Sequence, residues 1–313
     1  MIALEKAGPL CTVQDLGRPG HRASGMPLAG AMDRLALAGA NLLVGNPPGA
    51  AGVELSLVGG TWRFEEETLA ALCGADMAAT LEGEPLAPWC SFRAPRGASL
   101  VLGHARSGVR AYLAVRGGID VPAVLGSRST YTRARVGGLE GRALRGGDRL
   151  PVGAARGRAP APRRWPGAPP PCGGPIALRA IPGPQEDRFT AEGIATFFSE
   201  SYRVGPANDR MGYRLLGPPV AHLNGADIIT DALLPGAVQV PGSGEPIVLM
   251  ADAQTTGGYA RIATVIGPDL RLLAQARPGD EVRFRPVDQA AAVGALRQER
   301  RLLASLARPA RGP

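Results

Sequence analysis

Lysine is almost absent from this chain. Lys6 is the only one, so arginine supplies nearly all of the 35 basic residues. A phosphate-cradling Gly-x-x-x-x-Gly-Lys-Ser/Thr loop is therefore excluded downstream. A Schiff-base or biotin-carrying lysine would have to be Lys6, inside the first strand-like segment, so no covalently bound biotin is expected on this chain. Histidine is also scarce: His21, His104 and His222 stand alone. The four cysteines, Cys11, Cys73, Cys90 and Cys172, form no Cys-x-x-Cys pair. Structural zinc needs clustered ligands, so no metal site is expected, and the thiols read as buried or incidental groups in a reducing compartment. The serine most closely framed by glycines, Ser243 in Gly242-Ser243-Gly244, stands in a Pro-flanked turn, not at the strand-to-helix junction a nucleophile elbow requires. No apolar run approaches the ~20 residues of a membrane span. The opening Met-Ile-Ala-Leu-Glu-Lys lacks the charged-then-apolar order of a secretory signal. The chain reads as cytoplasmic, with no membrane partner.

The net charge of +8 does not describe a nucleic-acid binder. Arg156, Arg158, Arg163 and Arg164 lie in 151–175 without an acid, and 285–313 carries six arginines against Asp288 and Glu299. The rest of the chain is neutral, so the excess sits in a linker and a tail and forms no phosphate-reading surface.

What is abundant is turn chemistry. The 313 residues include 44 glycines and 30 prolines, with 45% hydrophobic and 20% charged residues. This length suits about two domains of ordinary size, and the turn-formers favour short strands over long helices. Eight prolines fall in 151–175, which can form neither helix nor central strand. The expected division is a β-rich domain over 1–152, a Pro/Arg-rich linker or loop over 153–175, a second β-rich domain over 176–287, and a C-terminal helix and tail over 288–313.

The flanking halves share an order of landmarks. Asp33-Arg34 precedes a helical run from Leu35 to Val44 stopped by Gly45. Asp187-Arg188 precedes another from Ala191 to Ser201, with Thr190 as N-cap and Phe189 and Ile194 as a hydrophobic staple. Each half then offers strand-like runs, among them Val53–Val58, Tyr112–Val115, Tyr213–Leu216 and Ile247–Ala251. Each closes on Gly-Asp before an alternating strand. Two tandem domains of one topology, each a β-barrel or strongly curved sheet, are expected. Beyond Arg285, Ala290, Val293, Leu296, Leu303 and Leu306 fall near helical spacing.

Three polar, glycine-rich clusters stand out. In Thr12-Val13-Gln14-Asp15-Leu16-Gly17-Arg18 an amide, a carboxylate and a guanidinium fall within five residues, either as a local ion pair or as ligand groups on a turn. In Asn208-Asp209-Arg210-Met211-Gly212-Tyr213-Arg214, strand alternation would send Arg210 and Arg214 to one face, which suits an anion. Asp252-Ala253-Gln254-Thr255-Thr256-Gly257-Gly258-Tyr259 connects two apolar strands with polar side chains that are costly to bury without purpose. Physics alone names no reaction here.

These clusters, with Gly30-Ala31-Met32-Asp33, Ala40-Asn41-Leu42-Leu43-Val44-Gly45-Asn46 and Gly126-Ser127-Arg128-Ser129-Thr130, closely resemble one family. It is the family of 5-oxoprolinase C-type subunits, also called KipA or allophanate hydrolase subunit 2, related to the carboxyltransferase domain of urea carboxylase. The resemblance runs from about residue 1 to 287, with the Pro-rich stretch as a local expansion. It implies a mainly β fold of two tandem cyclophilin-like barrels plus the C-terminal helix. It also implies a share in the ATP-dependent opening of 5-oxoproline to L-glutamate, beside a KipI-like B-type subunit and an A-type one, the isolated chain being inactive. By analogy, Arg18, Arg210 and Arg214 neutralise the substrate carboxylate or the transferring phosphoryl group. Asp15 or Asp252 holds Mg²⁺ or orients the lactam. Gln14, Gln254, Thr255 and Thr256 bond its amide, with Tyr259 alongside. The same resemblance leaves two alternatives: part of a biotin-dependent carboxyltransferase, or a KipA-like regulator that sequesters an inhibitor of a histidine kinase. Ala260 departs from the family, which often has proline after Gly-Gly-Tyr.

Overall fold

The computed structural model describes residues 1–155, 157–167 and 169–307. Arg156 of the basic linker and the tail beyond Ala307, with Arg308 and Arg311, lie outside the described residues. The fold is mainly β, with 36% strand and 17% helix. The chain forms two compact units. Unit 1 comprises Met1–Arg18, Ala29–Cys172 and Arg300–Pro313; unit 2 comprises Pro19–Leu28 and Gly173–Glu299.

In unit 1 two antiparallel sheets, of six and five strands, enclose a core built from Leu4, Val13, Leu55, Trp62, Phe64, Leu72 and Leu113. The five-stranded sheet is buried on both faces. Along Ser107–Val115, Ala111, Leu113 and Val115 enter that core, while Tyr112 and Ala114 face the helix Arg34–Leu43. Burial on both faces explains why this strand reads as a continuous apolar run without alternation. The helix starts at Asp33, whose side chain accepts from the Ala36 N–H, and nine of its ten residues are buried. Small residues let it approach closely: a Cβ on Gly39 would sit 2.7 Å from the Trp165 ring.

The Pro-rich stretch packs on unit 1. Trp165 is buried and meets Trp89 edge-on with ring centroids 4.7 Å apart. The Arg163 N–H donates to Ser91 Oγ at 2.9 Å, and the Arg163 guanidinium donates to the Leu42 carbonyl. Proline cannot donate to a ladder, so the non-proline residues hold the segment: besides these contacts, the Ser91 N–H donates to the Arg163 carbonyl and the Trp165 N–H to the Trp89 carbonyl, both at 2.9 Å.

Unit 2 is a closed seven-stranded barrel. Parallel pairing of Ile176–Pro182 with Glu281–Pro286, from Ile176↔Val282 to Ala180↔Pro286, completes the ring. Closure leaves no free edge. The barrel predicted from the sequence is thus a closed ring here, whereas in unit 1 the strands form two facing sheets. The helix Ala191–Ser199 sets Phe197 against Phe284, with stacked centroids 4.2 Å apart. Thr190 caps it by accepting from the Gly193 N–H at 3.0 Å. Thr190→Ala is expected to cost about 1 kcal/mol of stability, measurable by urea unfolding.

The division into units differs from the sequence-based one in three places. Pro19–Leu28 belongs to unit 2, where the Arg22 guanidinium donates to the Leu233 carbonyl. The segment 153–172 belongs to unit 1. The helix Gln289–Ala307 is counted with unit 2 to Glu299 and with unit 1 from Arg300, where Leu302, Leu303 and Leu306 pack on the cluster around the first helix. Among its predicted apolar positions, Val293 and Leu296 are exposed. All four cysteines are free, and burial pushes the Cys11 thiol up to about 11. No helix among the described residues is long and apolar enough to cross a membrane. Lys6 ends the strand Ile2–Lys6 with its side chain exposed.

Candidate functional site

In unit 1, Gln14 ends the strand Leu10–Gln14, and Asp15 begins the turn that follows. The Asp15 carboxylate gathers four donors. Oδ1 accepts from the Gly17 N–H at 2.8 Å and from the Ser127 and Ser129 hydroxyls at 2.7 and 2.5 Å, and Oδ2 accepts from the Arg128 N–H at 2.6 Å. Arg18 is fully buried, and its guanidinium donates to the Ser129 carbonyl. Gln14 Nε2 donates to Thr12 Oγ1 and to the Thr130 carbonyl, both at 3.1 Å. Asp15 and Arg18 thus do not form a local ion pair by these contacts; both hold the Gly126–Thr130 segment. Sequence reasoning missed Ser127 and Ser129 as site residues, though their motif was legible.

A second buried network anchors the adjacent turn. Glu54 Oε2 accepts from the Met32 N–H at 2.9 Å and from the Tyr112 hydroxyl at 2.7 Å, and that hydroxyl accepts from the Asp33 N–H at 2.7 Å. Burial, reinforced by the Glu54 and Asp33 carboxylates, pushes the Tyr112 phenol well above its ordinary range. It therefore remains a neutral donor. Sequence reasoning passed over Glu54 and Tyr112 because apolar neighbours disguise them within strands.

In unit 2, Arg210 and Asp252 close the end of an antiparallel ladder. Gly212–Leu216 pairs with Ile247–Leu249, and past that pairing the Met250 N–H donates to the Met211 carbonyl and the Asp252 N–H to the Arg210 carbonyl. The side chains then form a buried two-pronged fork, Nε to Oδ2 and Nη2 to Oδ1, each 2.9 Å. Arg214 does not share this environment; its side chain is exposed. The strand begins only at Gly212, so the alternation that would have put both arginines on one face does not extend to Arg210.

The loop after Asp252 leads to the strand Thr256–Tyr259, which pairs with Asp227–Ala232. Gln254, Thr256 and Tyr259 are exposed and Thr255 is half-buried. Their polar groups therefore meet solvent, and the desolvation penalty expected from the sequence does not arise. The loop is held by backbone: the Leu233 N–H donates to the Thr255 carbonyl at 2.8 Å. Ala260 is buried and donates its N–H to the Ala226 carbonyl at 2.9 Å, a bond that proline could not make. Under the loop, Arg261 Nε donates to Gln185 Oε1 at 2.8 Å, and its Nη2 donates to Asp231. The Ala232 N–H and then the Arg261 charge hold the Asp231 carboxyl below its ordinary range.

Among the described residues, no group of three or more His, Cys, Asp or Glu could hold a metal ion. Asp15 and Asp252, the two carboxylates considered for Mg²⁺, are committed to protein donors, so this donor set does not fit a magnesium chelate.

A mainly β chain with a closed barrel and these polar loops finds its match in the carboxyltransferase domain, subdomain A and B, over residues 24–286, and the chain belongs to that family. It is 41% identical to the 5-oxoprolinase C-type subunit of Escherichia coli (strain K12) across 98% of each chain. The solved TTHA0988 protein superposes with a TM-score of 0.82 at 39% identity, covering 91% of this chain and 55% of that one. Urea amidolyase of K. lactis gives a TM-score of 0.90 at 30% identity, covering 97% of this chain and 20% of that one. The chain therefore spans about half the length of the first solved structure and a fifth of the second.

Proposed function

We propose that this chain is the C-type subunit of an ATP-dependent 5-oxoprolinase, which opens 5-oxoproline to L-glutamate together with a KipI-like B-type subunit and an A-type one. The observation that carries the reading is the 41% identity to the Escherichia coli C-type subunit over 98% of both chains. A lactam carbonyl is a poor electrophile, and ATP supplies the activation that makes ring opening feasible. On this reading the exposed Arg214, Gln254, Thr256 and Tyr259 and the half-buried Thr255 meet substrate or its carboxylate, and Arg210 with Asp252 fixes the start of the loop that carries Gln254 to Tyr259. Gln14, Asp15 and Arg18 shape the corresponding turn of unit 1. Nucleotide and magnesium act in the assembled enzyme, with no magnesium-binding role assigned to this chain's carboxylates.

Reconstitution tests the proposal. This chain is mixed with candidate A-type and B-type subunits, and glutamate and phosphate release from 5-oxoproline and ATP are measured. Omitting the chain should abolish both signals; persisting turnover would refute the assignment. Arg214→Ala and Gln254→Ala should lower kcat/KM by about tenfold or more, by loss of one charged or polar substrate contact each, while melting profiles stay unchanged. A purely regulatory protein would bind its partner equally well and leave turnover unaffected by either substitution.

A further inference from the structure

The strands Asp227–Ala232 and Thr256–Tyr259 form a two-stranded sheet of their own, separate from the ring of the barrel. A ribbon of two strands is marginally stable alone, so it needs anchors from outside itself. Three arginines of unit 2 supply them, each donating to a backbone carbonyl along the first strand or just past it: Arg188 to Asp227 at 3.1 Å, Arg261 to Ala232 and Arg22 to Leu233.

Arg261 makes the most of these bonds. Its backbone belongs to the barrel, where it pairs with Gln239, and the residue is only 9% exposed. Each guanidinium nitrogen has a different acceptor: Nε bonds Gln185 Oε1 at 2.8 Å, Nη1 the Ala232 carbonyl and Nη2 the Asp231 carboxylate. Gln185 Nε2 closes the triangle by donating to that carboxylate at 3.2 Å. A planar fork of this kind fixes direction as well as distance, which an ammonium does not. The bonds fall where they set the second strand, since Ala232 pairs with Thr256 and Asp231 with Gly257. Buried Gln239 completes the seat by donating to the Tyr259 carbonyl at 3.3 Å, and a Cβ on Gly257 would lie 2.8 Å from its Nε2.

We propose that Arg261 is a positioning residue for the lactam site: through Asp231 and Ala232 it sets where Thr256 and Tyr259 meet the ligand. The inference rests on the functional reading above, which puts those two side chains on the substrate. With its nitrogens taken by the protein, Arg261 acts through the ribbon and not by contact. Small displacements matter at such a site, because a shift of about 1 Å can cost about a hundredfold in rate.

The test uses the reconstituted enzyme of A-type, B-type and full-length C-type chains. Arg261→Gln is expected to raise the KM for 5-oxoproline by about tenfold, with kcat and the KM for ATP within about twofold of the parent. A purely structural role would lower kcat with the active fraction and leave KM alone; that result overturns the proposal. Arg261→Lys, which keeps the charge and loses the fork, should fall between the parent and Arg261→Gln. Gln185→Ala, which removes the acceptor of Nε, should move KM in the same direction and serves where Arg261→Gln fails to fold. Arg283→Ala, which removes an exposed arginine paired with Glu281 at 2.9 Å, should change nothing. Hydrogen exchange on the whole chain gives a second readout. In Arg261→Gln the Leu233 N–H, bonded to the Thr255 carbonyl, should exchange about tenfold faster, while the Val265 N–H, bonded to the Gly236 carbonyl, keeps its protection. An unchanged KM in a folded variant, or unchanged exchange at Leu233, overturns the proposal and leaves the functional reading standing. Turnover that persists without the chain overturns both.

Discussion

Asp252→Ala should destabilise unit 2 by about 3–5 kcal/mol, because it leaves the Arg210 guanidinium buried without the carboxylate that compensates it. Arg210 and Asp252 are 6% and 4% exposed, so little water is available to take over. Replacing both, as in Arg210→Met with Asp252→Leu, should recover most of that loss, since no isolated charge remains. Equal destabilisation in single and double variants would mean that the fork contributes through shape alone. The three tryptophans, Trp62, Trp89 and Trp165, all lie in unit 1, so their fluorescence is blind to the barrel. Far-UV circular dichroism in denaturant follows unit 2 as well, and hydrogen exchange should show faster opening at Met250 and Asp252, whose N–H groups bond to Met211 and Arg210.

Trp165→Ala is the counterpart in unit 1. Removing this side chain empties the space between Trp89 and the face of the first helix, where the indole edge fills the notch left by Gly39. A loss of about 3–5 kcal/mol is expected for a buried Trp→Ala change, read by denaturant unfolding with Trp62 and Trp89 as reporters. Release of 157–167 to proteolysis should accompany it. A change below about 1 kcal/mol, the range of surface substitutions, would show that the Pro-rich stretch only rests on the sheet.

The sequence was most informative where the physics is local. Asp33 and Thr190 announce their helices because a capping side chain bonds only two or three residues ahead. The apolar runs Tyr112–Val115 and Ile247–Ala251 contain strands, as their composition indicated, though the second strand ends at Leu249, two residues short of the run. Pairings across the chain were not legible. Asp15 meets Ser127 and Ser129 more than a hundred residues away, and Arg210 meets Asp252 across 42. Each residue was recognisable as polar chemistry on a turn, but its partner is set by strand register, which no local pattern encodes. Exposure was illegible for the same reason. Arg210 and Arg214 look alike in sequence, yet one lies just outside the strand and is buried, and the other lies within it and faces solvent. Proline density over 151–175 indicated neither helix nor central strand, and the described residues there form only isolated bridges at Val152 and Arg164, but composition could not reveal that Arg163 and Trp165 bind the segment to unit 1.

The crossed membership of Pro19–Leu28 and of the residues from Arg300 onward bears on how the molecule can be divided. A single scission near Cys172 yields two pieces, each carrying a segment that belongs to the other's fold. The carboxyl-terminal piece lacks the strap whose Arg22 reaches Leu233, and the amino-terminal piece lacks the Leu306 that seals the first helix. Neither gene half encodes an autonomous module, and co-expression of the two should restore what separate expression does not.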